Sequence, residues 1–312
     1  MPFFFFYIGG NMRKVLLIFI DGFGLGENNG KINPLVRFNP SIFQWLIGSP
    51  LSVAATPAFN SKACLVATDA KLGIAGLPQS ATGQTAIFTG VNASAVMGRH
   101  IQGFPGPSLA KIIAEHGVLS KLRNNGFRVT SANAYTPRYM ELVKARKRRH
   151  SVTTLTILGA GLKLRSVPEL EAGQALNQDI TNEMLPIVDV NDIPVISPAL
   201  AGRRLANLAK DHNFTMFEYF QTDRCGHKMD WDKAEIITAV LAEFLTAVYE
   251  TSENELLVVV TSDHGNFEDL SVKTHTYNPV PTIIWGPECR SVAANIKDLT
   301  DISSAITRYL EG

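Results

Sequence analysis

Residues 256–281 read LLVVVTSDHGNFEDLSVKTHTYNPVP and contain the pattern that decides the fold. The run Leu256–Val260 is apolar and rich in β-branched residues, which predicts a buried parallel strand. Asp263 and His264 follow where that strand should end, and His275 lies farther along the same segment. Open α/β sheets bind ligands at the carboxyl ends of their strands, so we expect a site here. Asp and His are ligands for Zn²⁺ or Mn²⁺, although a polar turn capped by an Asp would have the same sequence pattern.

Composition indicates a globular protein with a sizeable core. The 312 residues suffice for one large or two ordinary domains, and 46% of them are apolar. The formal net charge of +1 gives no overall field that would favour nucleic acid or an acidic partner. The three cysteines are far apart in sequence, which implies no disulfide framework and favours a reducing, cytoplasmic location. No run approaches the about 18 apolar residues of a transmembrane helix, so we expect no membrane partner.

Domain boundaries follow from the two least periodic parts of the chain. Residues 1–10 read MPFFFFYIGG, an apolar run too short to span a bilayer and without the basic region of a signal peptide. We therefore expect residues 1–11 to be an extension outside the core and residues 12–312 to form a single domain. Within that domain, the weakly periodic and proline-punctuated residues 136–197 predict a small lid or insertion beside the sheet.

Strands alternate with helices along the rest of the chain. This alternation predicts an α/β fold with a doubly wound, mostly parallel sheet flanked by helices. Apolar runs predict further strands at residues 15–20, 128–132, 214–220 and 281–285. Amphipathic or capped segments predict helices at residues 42–47, 108–125, 198–208 and 233–249.

Two of these further strands also end on an acid. Residues 15–20 are followed by Asp21, and residues 214–220 are followed by Asp223 and His227. The carboxyl ends of parallel strands meet at one edge of a sheet, so these side chains should meet those of the 256–281 segment. Six oxygen and nitrogen ligands are enough for two divalent cations at three protein ligands each. Two such ions together clamp both oxygens of an in-line displacement at phosphorus.

A predicted helix begins at residues 80–85, SATGQT, after a glycine-rich loop. Hydroxyl groups at a helix start often serve only as caps. The free backbone N–H groups there also stabilise an anion such as phosphate. Thr85 lies just inside this helix, and a neighbouring cation would make its hydroxyl a nucleophile by favouring the alkoxide.

Basic side chains suggest how a phosphorylated substrate could be held. Arg99, His100 and Arg138 are candidates, since Arg suits bidentate phosphate recognition, although surface charge would explain them equally well. Residues 144–149, KARKRR, could bind phosphate or nucleic acid, but the solvated face of a helix is the simpler interpretation. We expect a small-molecule phosphoester as the partner and no nucleic acid.

Taken together, these motifs resemble the alkaline phosphatase superfamily of metalloenzymes, and most of all its cofactor-independent phosphoglycerate mutase and phosphopentomutase branch. Each motif is weak alone, but they follow the family's order across residues 15–285. The matching motifs are Asp21-Gly22-Phe23-Gly24, Gly76-Leu77-Pro78 through Thr85, Asp223 with His227, Ser262-Asp263-His264-Gly265-Asn266, and His275 through Pro281.

The resemblance implies two divalent metal ions, Mn²⁺ or Zn²⁺, as cofactors. The implied ligands are Asp21, Asp263 and His264 for the first ion, with Thr85 as its fourth contact and as the nucleophile, and Asp223, His227 and His275 for the second ion.

Two departures from the mutases bear on function. The mutases carry the nucleophilic serine within Gly-Asn-Ser, where this chain has Gly83-Gln84-Thr85, and threonine is the nucleophile in the phosphodiesterase branches. Phosphoglycerate mutase also has a large substrate-binding domain between its nucleophile and its second metal motif, for which residues 86–222 leave no room. We therefore expect a phosphatase or phosphodiesterase with a threonine nucleophile. A phosphomutase is the alternative within the superfamily, and a non-catalytic metal-bound nucleotide or nucleic-acid binding module is the alternative of another class.

Overall fold

The computed structural model describes residues 13–252 and 254–312. The predicted extension, residues 1–11, lies outside these described residues. The strands of the described residues are β1 Val15–Ile20, β2 Ala58–Phe59, β3 Ala63–Thr68, β4 Val129–Ser131, β5 Phe214–Tyr219, β6 Leu257–Thr261 and β7 Val280–Trp285.

All of these strands belong to one mixed sheet in the order β2-β3-β7-β6-β1-β5-β4. Strand β1 lies between β5 and β6 and pairs with both in parallel, Val15 opposite Phe214 on one side and Leu257 on the other. Strand β4 is parallel to β5, whereas β7 is antiparallel to both β6 and β3. The predicted α/β fold with a mostly parallel sheet is therefore confirmed, and the antiparallel direction of β7 is an addition to it.

Helices cover both faces of the sheet. The α-helices of the described residues are α1 Pro34–Arg37, α2 Ser41–Ile47, α3 Ser80–Thr89, α4 Ala93–Met97, α5 Pro107–His116, α6 Val118–Asn124, α7 Pro137–Lys144, α8 Val152–Gly159, α9 Val167–Glu171, α10 Pro198–Lys210, α11 Gln221–Gly226, α12 Trp231–Ser252, α13 Cys289–Ala293 and α14 Asp301–Glu311. Short 3₁₀ helices lie at Val53–Ala55 and Leu185–Val188.

Strand β1 shows how the core divides into two layers, because successive side chains of a strand point to opposite faces. Leu16 and Ile18 pack into the layer that contains α2, α10 and α12. Leu17 and Phe19 pack into the layer that contains α3, α5, α6, α8 and α14. Every residue of β1 is buried, as its continuous apolar run predicted.

Two predicted segments need correction. The predicted helix at residues 108–125 is broken at Gly117, whose ψ of 128° is not helical, and it therefore forms α5 and α6. The predicted lid, residues 136–197, divides into parts with different packing. Helix α8 packs into the core beside α3, α5 and α6, whereas Leu170, Leu185 and Ile193 belong to a separate small apolar cluster.

The three cysteines are free thiols. Cys225 is buried. Its Sγ donates to the carbonyl of Asp230 at 3.2 Å. Cys64 and Cys289 are far apart in sequence, but their Sγ atoms lie 3.8 Å apart across the packing of α13 on β3. Among the described residues, no helix combines the length and the apolar composition that a membrane crossing requires.

Candidate metal centre

The predicted acidic ligands lie at one edge of the sheet. Asp21 directly follows β1, Asp263 lies two residues beyond β6, and Asp223 lies in α11, which follows β5. Since β1, β5 and β6 are parallel neighbours, their carboxyl ends bring the three carboxylates together. The topology of the central strands therefore places the site.

The first group of ligands is Asp21, Asp263 and His264. The Nε2 atom of His264 is 3.4 Å from Oδ1 of Asp21 and 3.5 Å from Oδ2 of Asp263. Asp263 and His264 are fully buried, and the side chain of Asp21 is 15% exposed. One ligand atom from each of the three residues can be chosen so that all lie within 4.8 Å of one another.

The second group is Asp223, His227 and His275. Oδ2 of Asp223 lies 3.3 Å from Nε2 of His227, and Oδ1 of Asp223 lies 3.6 Å from Nε2 of His275. The His275 ring stacks on that of His264 with 3.6 Å between ring centroids, so the two groups are immediate neighbours. The structure thus brings the six predicted Asp and His ligands together, in the two groups of three that the family resemblance implied.

Backbone carbonyl groups orient all three imidazoles. Nδ1 of His227 bonds the carbonyl of Lys273 at 2.7 Å, and Nδ1 of His275 bonds that of Pro78 at 2.8 Å. Nδ1 of His264 lies 3.4 Å from the carbonyl of Gly265. A carbonyl oxygen can only accept, so each bond places a proton on Nδ1. In the neutral rings of His264 and His275 this leaves the Nε2 lone pair directed into the site. The hydrogen bond with Asp223 raises the pKa of His227 to about 9, so His227 also carries a proton on Nε2 at pH 7, which a cation would displace. Metal-binding histidines are commonly fixed by such bonds.

Burial opposes negative charge on the carboxylates of the first group. It raises the pKa of Asp263 to about 7, and it raises that of Asp21 well above its usual range with help from the charges of Asp263 and Asp223. Burial also acts to raise the pKa of Asp223, but the hydrogen bonds with His227 and Asn266 and the charges of the nearby histidines together outweigh it, and the pKa lies below its usual range. Crowded, buried carboxylates are an arrangement that a bound cation would relieve.

Two further observations fit a cation. Burial lowers the pKa of His264 and that of His275 to about 4 each, so both rings are neutral at pH 7, the form that binds metal. Oδ1 of Asp21 is buried and accepts no hydrogen bond within the described residues, although a buried acceptor normally has a partner. The donor set of carboxylate oxygens and imidazole nitrogens suits Zn²⁺ or Mn²⁺.

The predicted role of Thr85 is contradicted by its position. Thr85 is fully buried inside α3, and its hydroxyl donates to the carbonyl of Ala81 at 2.6 Å, one turn back in the same helix. The hydroxyl that meets the metal ligands belongs to Ser80, whose Oγ lies 3.1 Å from Nε2 of His264. Ser80 is the first residue of α3, where the backbone N–H groups are free of helical partners.

Helical phase explains the difference between the two hydroxyls. Residues three and four apart share a helix face, so Gly83 and Gln84 lie on the face of Ser80. Both contact Asp263: the Gln84 amide donates to its Oδ2 at 3.1 Å, and a methyl group at Gly83 would lie only 2.8 Å from its carbonyl oxygen. Thr85 is one position beyond this face. The spacing Ser80-x-x-Gly83-Gln84 is the sequence signal that could have indicated which hydroxyl faces the metal ligands.

The predicted substrate residues are not brought into contact with the six ligands. Arg99 and Arg138 are exposed, and within the part of the chain that the structure describes their guanidinium groups make no hydrogen bond or ion pair. His100 is tied into the loop before α3, with Nδ1 3.1 Å from Oγ of Ser94 and Nε2 3.3 Å from the carbonyl of Ile74. A role in substrate binding stays a prediction for all three. Residues 144–149 are exposed, and most of them lie beyond the end of α7.

A buried carboxylate that the sequence reasoning missed joins the loops of the site. Glu268 accepts from the backbone N–H groups of Gly24 at 3.1 Å and Asn266 at 2.7 Å. Its other oxygen accepts from the side chains of Thr276 and Asn278. These donors belong to the loops that carry Asp21, His264 and His275. A motif that continues Asp-His-Gly-Asn-Phe into Glu was visible in the sequence, but spacing alone gave that Glu no role.

Five of the six ligands lie in a segment of the chain that matches a family model. The model of the Metalloenzyme superfamily matches residues 195–311, which include the Asp223, Asp263 and His275 motifs. The 2,3-bisphosphoglycerate-independent phosphoglycerate mutase 1 of Methanocaldococcus jannaschii is 24% identical over 103 residues, 33% of this chain and 23% of that protein. The 2,3-bisphosphoglycerate-independent phosphoglycerate mutase of Methanococcus aeolicus is 21% identical over 187 residues, 59% of this chain and 43% of that protein. The matched segments therefore span less than half the length of either relative.

Structural comparison extends the similarity to nearly the whole chain. The solved structure of the PH0037 protein from Pyrococcus horikoshii aligns over 96% of this chain and 97% of its own, with a TM-score of 0.58 and 13% sequence identity, which is a likeness of fold. The chain is therefore similar to the Metalloenzyme superfamily over residues 195–311 and more weakly to 2,3-bisphosphoglycerate-independent phosphoglycerate mutases, and it shares the fold of the PH0037 protein over nearly its whole length.

Proposed function

We propose that this protein is a phosphoester hydrolase that uses two divalent metal ions and Ser80 as its nucleophile. The observation that carries the proposal is that the hydroxyl of Ser80, at a helix N-terminus, contacts the first of two neighbouring three-ligand groups. Asp21, Asp263 and His264 would hold one ion, and the group around Asp223 would hold the other. Mn²⁺ and Zn²⁺ both suit this donor set.

In the proposed reaction, Oγ of Ser80 attacks phosphorus while the bond from phosphorus to the leaving alcohol oxygen breaks. The hydroxyl proton passes to solvent, the leaving oxygen takes a proton from water, and the phosphoryl group remains on Ser80. Water then attacks the phosphoserine, which releases inorganic phosphate and restores the serine hydroxyl. When bound, the divalent ions would supply Lewis-acid chemistry, favouring the alkoxide and stabilising negative charge on the phosphoryl oxygens.

The first turn of α3 would hold the phosphoryl group during this exchange. The N–H groups of Ser80 and Ala81 donate to no acceptor within the described residues, whereas that of Thr82 donates to the carbonyl of Ile101 at 3.3 Å. Two free amides at a helix N-terminus stabilise an anion through direct hydrogen bonds and through the helix dipole. This role agrees with the glycine-rich approach to α3, since Gly76 has a φ of +99° that other residues rarely adopt.

The main alternative function is that of a phosphomutase, which would share the first half of the reaction. The sequence matches to phosphoglycerate mutases favour it. In a mutase, the phosphoryl group on Ser80 would pass to a second hydroxyl of the substrate instead of to water. We favour hydrolysis because residues 86–222 contain no large domain that could close over the site and exclude water.

The proposal is tested by turnover of p-nitrophenyl phosphate and bis-p-nitrophenyl phosphate with Mn²⁺ or Zn²⁺ added. We expect release of p-nitrophenol by the wild type, loss of nearly all turnover after chelation, and the same loss in Ser80→Ala. Transfer of phosphate from a sugar phosphate to a second position of the same molecule, without free phosphate, would identify the mutase. Full turnover in the presence of a strong chelator would contradict the metal-dependent mechanism.

A further inference from the structure

A cluster of arginine and histidine side chains lies far from the metal centre. It lines a cavity of about 390 Å³ and consists of Arg128, Arg165, Arg204 and His212. Arg128 directly precedes β4 and His212 precedes β5, so the cavity lies at the amino ends of these strands. The metal ligands follow the carboxyl ends. Since β5 spans six residues at about 3.3 Å each, roughly 20 Å of sheet separates the two places.

Positive charge in this cavity greatly exceeds negative charge. Three guanidinium groups line it against one carboxylate, that of Asp211. The side chains of Arg128 and Arg204 make no hydrogen bond or ion pair with any of residues 13–252 and 254–312. Unpaired guanidinium groups that converge on one concavity favour an anion as occupant.

Arg165 is the half-buried member of the cluster. Its guanidinium donates to the carbonyls of Ser131 and Gln174 at 2.9 and 2.8 Å, and to the Thr130 hydroxyl at 3.0 Å. All of these acceptors are neutral, and no carboxylate forms an ion pair with it within the described residues. Burial lowers its pKa, and the charge of Glu169 only partly opposes this shift. Charged groups in such positions are usually paired, so an external anion would complete the arrangement.

Backbone groups hold two members of the cluster, Arg204 and His212, in position. Gly173 adopts the left-handed conformation at a φ of +69°, and a methyl group there would lie 3.1 Å from Nε of Arg204. Arg204 therefore packs over the backbone of the loop that follows α9. On the other side of the cavity, Nδ1 of His212 bonds the carbonyl of Leu208 at 2.9 Å. This bond leaves Nε2 as an acceptor for a protonated ligand oxygen.

We propose that this cavity is a second anion site that binds the oxyanion of phosphate or of a small phosphomonoester. Planar guanidinium groups bind such oxyanions through paired hydrogen bonds. The volume matches the lower end of small-molecule sites, about 300–1,000 Å³. A nucleic-acid backbone would need an extended basic surface, whereas these groups converge on a single concavity. Free phosphate and a phosphomonoester share this chemistry, and the test separates them.

The test is calorimetric titration of the metal-loaded protein with inorganic phosphate at constant ionic strength. We expect two binding events in the wild type, one at the metal centre and one in the cavity. Arg204→Gln should lose one of them, or weaken it at least tenfold. Arg203→Gln is the matched control, because Arg203 is the exposed neighbour on α10 that does not line the cavity, and it should keep both events.

A kinetic readout identifies which event is lost. Inhibition of turnover by phosphate reports the metal centre, so its inhibition constant should be the same in Arg204→Gln and the wild type. A titration with methylphosphonate, which cannot be hydrolysed, then shows whether the cavity accepts a monoester or only free phosphate. If the protein has no turnover, the calorimetric comparison of the variants still decides the cavity site on its own.

A second variant guards against a folding defect. Arg128 is exposed and makes no side-chain contact that the fold depends on, so Arg128→Gln should have the melting temperature of the wild type and should also weaken the cavity event. Equal numbers of phosphate sites with equal affinities in the wild type, Arg204→Gln and Arg128→Gln would overturn the proposal. So would phosphate binding that vanishes completely in Ser80→Ala while Arg204→Gln leaves it unchanged.

Discussion

Ser80 and Thr85 lie on one helix, and only their helical phase separates a proposed nucleophile from a structural hydroxyl. Ser80 meets His264, whereas Thr85 is bonded back into its own helix. The sequence pointed to the helix that carries both hydroxyls but selected Thr85, because the two side chains look alike until the face of the helix is known. The acids were predictable since each lies within four residues of the end of a buried strand. The histidines were predictable as ligands, but their orientation depends on carbonyl groups distant in sequence.

Substitution of the two hydroxyls separates their roles. Ser80→Ala should lose nearly all turnover with a melting temperature close to that of the wild type, because its Oγ supports no fold contact besides His264. Thr85→Ala should retain turnover and lose stability by about 1 kcal/mol, the typical net worth of a buried hydrogen bond. Turnover and thermal unfolding of both variants check this. Normal turnover in Ser80→Ala would remove Ser80 from the mechanism.

Metal binding should weaken as pH falls. The pKa of Asp263 is raised to about 7, so below pH 7 a cation must displace a proton from this carboxyl. The hydrogen bond with Asp223 raises the pKa of His227 to about 9, so a cation must also displace a proton from this ring across the same range. Affinity therefore falls by up to about tenfold per pH unit for each proton released, and most steeply below pH 7. His264 contributes nothing in this range, because its pKa lies near 4. Calorimetric Mn²⁺ titrations at pH 6, 7 and 8 measure the slope, and equal affinity at all three would contradict the raised pKa.

At the scale of elements, Glu268 sets the spacing of the loops that carry the ligands. Gly24, Gly26 and Gly265 surround its carboxylate, and a methyl group at any of them would collide with Glu268 atoms. Burial raises the pKa of Glu268, so its four donors are needed to hold the charged form. The sequence revealed the strands that end at the site, since their apolar runs are continuous. It could not reveal this link, because one donor comes from the segment after β1 and the others from the long connection between β6 and β7, which are distant in sequence.

Adding a methyl group to one of the glycines around Glu268, which together we call the Glu268 cradle, should disturb the metal site. We expect Gly265→Ala to lose about 1–3 kcal/mol of stability through overpacking and to bind Mn²⁺ more weakly, because Glu268 and Thr276 must move. Gly202→Ala is the control: a methyl group there meets the carbonyl of Phe244 where α10 packs on α12. It should lose similar stability and keep its Mn²⁺ affinity. Equal Mn²⁺ affinity in both variants would mean that the cradle does not position the ligands.

At the scale of the whole molecule, bound metal ions would link the ends of three parallel strands and so stabilise the folded chain. Asp21, Asp223 and Asp263 follow β1, β5 and β6, so ions bound by them stabilise only the folded chain. At a metal concentration 100 times the dissociation constant, the gain is about 2.7 kcal/mol for each ion. Chelation should therefore lower the melting temperature by several degrees, as measured by differential scanning calorimetry. Asp263→Asn should show a smaller shift, and an unchanged melting temperature in the wild type would argue against bound metal.

The overall architecture was the most predictable level. Alternating strands and helices gave the α/β sheet and its two helical layers, because burial on both faces leaves a continuous apolar signal. The helix break at Gly117 and the antiparallel direction of β7 were not visible, since both depend on contacts between distant segments. Residues 136–197, for which the sequence predicts a lid, contain α8, whose Val152 and Ile157 are core residues. Local periodicity could not distinguish a core helix from a surface one there.

The central claim is that Ser80 takes up the phosphoryl group in a metal-dependent reaction. The most direct measurement is mass spectrometry of the peptide containing residues 80–85 after the reaction is quenched in acid during turnover. We expect a phosphate on Ser80 that is present with Mn²⁺ or Zn²⁺, absent after chelation and absent in Ser80→Ala. A phosphate on Thr85, or rapid turnover with Ser80 unmodified, would contradict it.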